Sequence, residues 1–121
     1  VKNLKKVIDL DYLITLSGGN KLLIIDMINL FISEVTNEIQ LIEKGIKEND
    51  LTLVKSGIHS MKGIIHYVGL NGIVKIDLIK IEELAVKELS MLEIRLIFSK
   101  TKPKIKKAIS ELNDWMLLSK T

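Results

Sequence analysis

The chain has no cysteine, one proline and only 4% aromatic residues in 121 positions. Without cysteine there is no disulfide framework, no thiolate zinc site and no cysteine nucleophile, and a reducing compartment suits the composition. So little proline and so few aromatics argue against a β-sandwich or barrel, which needs frequent turn punctuation. Long apolar runs are missing as well. The longest are four residues, as in Leu22-Leu23-Ile24-Ile25, against roughly 20 for a membrane-spanning helix. Lys2, Lys5 and Lys6 are followed by Asp9 and Asp11 before any long apolar stretch. No secretory leader and no membrane insertion are therefore expected, and the expected location is cytoplasmic. Charge of one sign is weak too: 27% of residues are charged, yet the net charge is only +3. That favours acidic partners mildly and falls short of a nucleic-acid footprint. The chain opens on Val1 rather than Met, so both a free-standing protein and a piece of a longer one stay open.

A hydrophobic fraction of 47% is present, enough for one compact core, and residues 1–121 read as a single domain. Isoleucine and leucine dominate, and isoleucine alone favours strands, so the period has to decide. From Ile24 the apolar positions Ile28, Phe31, Val35, Ile39, Ile42 and Ile46 recur at steps of three or four. This is one face of a helix from about Asn20 to Glu48, with Asn20 as its N-cap after the Ser17-Gly18-Gly19 turn. A short helix over Asp9 to Leu16 precedes it, with Leu13 and Leu16 pointing inward. Asp50 caps a third helix whose stripe is Leu51, Val54, Ile58, Met61, Ile65 and Val68, as expected of a helix in a bundle. After the Gly69 to Gly72 break, with Asn71 as a possible cap, a fourth helix carries Ile73, Ile76, Ile81, Leu84 and Leu89. Ser90 and Glu93 have capping-box spacing and open a last helix ending near Leu118. Pro103 inside it predicts a kink or a break. The predicted fold is all-α: an antiparallel four-helix bundle with a short extra N-terminal helix.

Beside the apolar stripe of the third helix runs a polar one, Lys55, His59, Lys62 and His66, displaced by one residue. A step of one residue turns the helix by about 100°, so these side chains lie along the edge of the buried face. Gly63 stands one turn beyond His59. A mid-helix glycine costs roughly 1 kcal/mol relative to alanine, and the physical return is access: nothing at that position blocks an approach to the imidazole. Lys62 can place an ammonium beside an anion carried by His59. No carboxylate shares the stripe next to His59, so no Mg²⁺ site is expected on it.

The segment His59-Ser60-Met61-Lys62-Gly63 through Val68-Gly69 resembles the signature of histidine-containing phosphotransfer (HPt) domains. Phe31 in the second helix, Asp50 nine residues before the histidine and the Gly18-Gly19 turn fit the same pattern, and the predicted bundle is that family's fold. The resemblance implies a phosphorelay intermediate, a phosphocarrier rather than a turnover enzyme. His59 would accept a phosphoryl group from a receiver-domain aspartate and pass it to another receiver. Lys62 would stabilise the phosphate, Gly63 would keep the histidine accessible, and Gly69 would terminate the helix. Implied partners are response-regulator receiver domains, with a hybrid sensor histidine kinase as a further candidate; the domain would be a monomer without a cofactor, and Mg²⁺ would belong to the receiver. Two departures stand out: Ile58 replaces the usual alanine before the histidine, and bulky Ile64, Ile65, His66 and Tyr67 follow Gly63. They motivate the alternative of a helical-bundle interaction module that binds a receiver or other protein without phosphotransfer. Glu82 is the nearest acidic candidate on the fourth helix, but its register reads one residue late, so no role is carried over to it.

Other features read more plainly. His66 lies two turns from His59, roughly 10.5 Å along a helix axis, too far to share a metal, and reads as a boundary residue. The lysines 100, 102, 104, 106 and 107 read as a solvated helix face, because no aromatics are interleaved for base stacking. Trp115 and Met116 are expected to seal the bundle. Ser17-Gly18-Gly19-Asn20 lacks the lysine and hydroxyl residue of a phosphate-binding loop.

Overall fold

The computed structural model describes residues 6–119, apart from the side chain of Ile73. Its helices are α1 (Asp11–Ser17), α2 (Lys21–Glu48), α3 (Leu51–Ile64), α4 (Ile73–Val86) and α5 (Met91–Ser119), and α3 runs on into a 3-10 turn (Ile65–Val68). No strand occurs among the described residues. Side-chain caps set the starts of three helices. Asn20 Oδ1 accepts from the Leu23 N–H at 3.1 Å, Asp50 Oδ1 from those of Thr52 and Leu53 at 3.0 and 3.2 Å, and Ser90 Oγ from that of Glu93 at 3.2 Å. Each satisfies a donor that helix geometry leaves without an internal partner, typically worth about 1 kcal/mol.

Neighbouring helices close a ring: α2 packs on α3, α3 on α4, α4 on α5 and α5 on α2, while α1 lies against α2 and the 3-10 turn. Short turns make the neighbours antiparallel. All seven apolar positions of the α2 stripe are buried, as are Val54, Ile58, Met61, Ile65 and Val68. The most extensive packing lies between α2 and α3. A Cβ on Gly57 would stand 2.6 Å from Ile42 Cγ1 and 3.3 Å from the Glu38 carbonyl oxygen, so the two helices meet where Gly57 has no side chain.

Several expectations need correction. Leu16 is 49% exposed; in a helix of two turns, Leu13 alone takes the inward position. On α4 the buried residues are Val74, Leu78, Ile81 and Ala85, while Ile76 is 60% exposed and Leu89, beyond the helix end at Val86, is 51% exposed. This helix carries apolar residues nearly all round, so spacing could not set which face turns inward; the side chain of Ile73 lies outside the described residues. Gly72, not Asn71, stands at the α4 N-cap, and no side chain bonds there. Of the kink or break expected at Pro103, the break does not occur, since α5 continues through it. Its partner in the missing hydrogen bond would be the Ser99 carbonyl, and both residues are on the exposed side, where water can take the donor's place. Trp115 and Met116 pack against the core as expected.

The described stretch before α1 is tied down at two points. Glu111 of α5 accepts from the Val7 and Ile8 N–H groups at 2.9 and 3.1 Å, and the Asp9 N–H donates to the Val68 carbonyl at 2.8 Å. Gly69 ends the 3-10 turn at φ 80°, and a Cβ there would meet the Asp9 Cβ at 2.6 Å. It therefore both terminates the helix and admits the N-terminal segment.

One acidic group is buried at a cost. Glu38 of α2 is half-buried, and its Oε1 is buried with no hydrogen-bond partner among the described residues. Burial, with a smaller contribution from the charge of Glu34, raises its pKa from 4.5 to about 7. Between these two pH values the unfolded chain releases a proton that the folded one keeps, so stability falls as pH rises through the window. Urea midpoints should decline from pH 5 to pH 8, and Glu38→Gln should remove a share of that decline on the order of 1–3 kcal/mol. Equal slopes for the two proteins would contradict this. Gly57→Ala should cost about 1–3 kcal/mol by overpacking the α2–α3 contact, read in the same denaturation experiment.

Candidate functional site

The α3 stripe fixes where His59 goes. With Ile58 and Met61 fully buried, the residue between them on the helical wheel's wet side is turned outward. The His59 side chain is 81% exposed. Around it on the same face stand Ser56, Ser60 and Gly63, all exposed and all small, so the imidazole rises above its helical neighbours. A Cβ on Gly63 would meet nothing within 4 Å. Nothing inside the fold demands a glycine there, in contrast to Gly57.

Glu82, the nearest acidic candidate in the sequence but one given no role there, completes the arrangement. Helical spacing alone puts its register one residue late, and packing brings this α4 carboxylate to the α3 stripe, which has none of its own. Glu82 Oε1 forms an ion pair with the Lys62 ammonium. Glu82 Oε2 lies 3.8 Å from His59 Nδ1, within ion-pair range but too long for a hydrogen bond. This turns the Nδ1 edge of the ring toward α4 and leaves Nε2 on the far edge. About three-quarters of the Lys62 and Glu82 side chains is covered, at 25% and 26% exposure, so screening by solvent is weaker for this pair than for surface charges. An accessible imidazole, a cation three residues on and a small-residue floor can receive and hold an anionic group. They offer no ligand cage: no group of three or more His, Cys, Asp or Glu residues that could hold a metal occurs among the described residues.

The other singled-out residues are dispersed. His66 is half-buried in an aromatic cluster, its ring centroid 4.4 Å from that of Tyr67 and 5.4 Å from that of Tyr12. Lys55 is half-buried at the edge of α3. Of the bulky residues after Gly63, Ile65 turns into the core, while Ile64 and Tyr67 line an apolar cleft of about 390 Å³ with Leu13, Leu16, Leu30 and Phe31. The lysine run of α5 is only partly a solvated face. Lys102 pairs with Glu43, Lys104 with Asp77 at 3.3 Å and Lys107 with Glu111 at 4.0 Å. These ties to α2, α4 and its own helix spend much of the positive charge inside the protein.

The sequence matches one family model, described as Hpt domain, over residues 26–115. Neither a curated protein nor a solved structure matches it. Hpt domains serve histidine phosphotransfer in phosphorelays and interact there with receiver and kinase domains. The matched stretch runs from α2 through most of α5 and includes His59, Lys62, Gly63 and Gly69. Bundle, motif and match agree, and the chain belongs to the Hpt domain family.

Proposed function

We propose that His59 is the phosphoacceptor, with Lys62 neutralising the incoming phosphate and Gly63 leaving the approach open. The observation that carries this reading is the 81% exposed imidazole beside a cation on a floor of small residues. Near neutral pH a histidine offers an unprotonated nitrogen. Nε2 attacks the phosphorus of a receiver aspartyl phosphate, and Nδ1 keeps its proton on the Glu82 side. The N–P bond forms as the P–O bond breaks, and the aspartate leaves as a carboxylate with the bonding pair. Transfer to a second receiver reverses these steps. Because phosphoryl transfer passes through a loose transition state, positioning and charge neutralisation supply most of the catalysis. The receiver brings its own Mg²⁺, and this domain needs no cofactor. It acts as a monomeric cytoplasmic carrier that undergoes no net change. The apolar cleft beside Ile64 and Tyr67 supports docking of a receiver with an apolar contact face.

Incubation with a phosphorylated receiver should place an acid-labile, base-stable label on the protein. His59→Gln should abolish that label and His66→Gln should retain it; labelling of His59→Gln at the wild-type level would overturn the assignment. Receiver binding that survives while wild type never labels would favour the interaction-module reading. Gly63→Ala should stabilise the free domain by up to about 1 kcal/mol, since its methyl meets no neighbour, yet slow transfer from the receiver. A variant equally fast in transfer would remove Gly63 from the site.

A further inference from the structure

Glu82 touches both groups assigned to phosphate, one carboxylate oxygen on the Lys62 ammonium and the other 3.8 Å from His59 Nδ1. Resting on the assignment of His59 as phosphoacceptor, we propose that Glu82 sets the phosphoryl-transfer potential of the site by holding Lys62 and keeping the phosphorylated state less stable.

The charges give the direction. In the unmodified protein Glu82 and Lys62 neutralise each other, and their side chains are three-quarters covered. A phosphoryl group carries a charge of about −1.5 to −2 near neutral pH. Once on His59, it competes with Glu82 for Lys62 and is repelled by the carboxylate; the covered Lys62–Glu82 pair is screened less than surface charges, although the histidine ring itself stands in water. Both effects raise the free energy of the phosphorylated state relative to the unmodified one. The 3.8 Å contact to Nδ1 opposes them by favouring a protonated ring, but it is longer than a hydrogen bond and His59 is mostly solvated. The balance therefore drives phosphate outward, toward the next receiver. A neutral side chain in this position would leave Lys62 to the phosphate and retain it on the histidine.

The test is the equilibrium ratio of phospho-His59 to phospho-receiver, measured with one receiver and the full domain. Glu82→Gln should raise that ratio by roughly tenfold, equivalent to about 1.4 kcal/mol, and lengthen the lifetime of the phosphohistidine. Glu82→Asp, which keeps the charge, should stay near the wild-type ratio. In a Lys62→Met background the effect of Glu82→Gln should shrink, because the competition for the lysine is gone. A wild-type domain that labels on His59, together with a folded Glu82→Gln variant at an unchanged or lower ratio, would overturn the proposal. A wild-type domain that takes no label on His59 would instead remove the phosphoacceptor reading on which it rests.

Discussion

The burial of one face of α3 and of the 3-10 turn that continues it is the constraint on which the rest depends. Val54, Ile58, Met61, Ile65 and Val68 are all at 0% exposure, and fully burying each such side chain contributes roughly 1.5–3 kcal/mol. Rotating α3 to hide His59 would lift several of these side chains into water, at a cost comparable with the whole stability of a small domain. The histidine is thus held outward by the core beneath it rather than by any bond of its own. Gly57 sharpens the same constraint, since it lets α2 come close enough for Ile42 to fill the space a side chain would take.

On that fixed helix the site is built from contrasts in burial. His59 stands in solvent, while Lys62 and Glu82 are largely covered. A nucleophile must be reachable, whereas charges that tune it act more strongly where water is scarce. The α3–α4 contact supplies the second condition by bringing an acidic residue from one helix onto the lysine of the other. At the opposite side of the bundle, α5 is held by analogous cross-helix pairs, Lys102 with Glu43 and Lys104 with Asp77. A lysine-rich stretch there serves largely to join helices.

Helix positions were legible wherever one face is apolar and the other polar. On α2 the spacing of Ile24 through Ile46 selects one face unambiguously, and all seven positions are buried. On α4 the apolar residues surround the helix, so Ile76 and Val74 compete for the inward place and packing alone decides between them. Caps with a side-chain acceptor, Asn20 and Asp50, were readable because the hydrogen bond is local; Gly72 offers no side chain to read. The short α1 could not reveal that Leu16 stays out, since a helix this brief gives too few turns to establish a stripe.

The sequence by itself determined the helical bundle and the family's motif, and with them the face of α3 that carries His59, Lys62 and Gly63. These follow from periodicity and from residues close together on one helix, whose relative positions the helical repeat fixes. Only the tertiary structure decided that Glu82 meets Lys62 and His59, that Gly57 is needed for contact while a side chain at Gly63 would touch nothing, and that Glu38 Oε1 is buried with no hydrogen-bond partner among the described residues. Each of these depends on the rotation and spacing of one helix against another, and those are set by how side chains fill the shared core rather than by any order within a single segment.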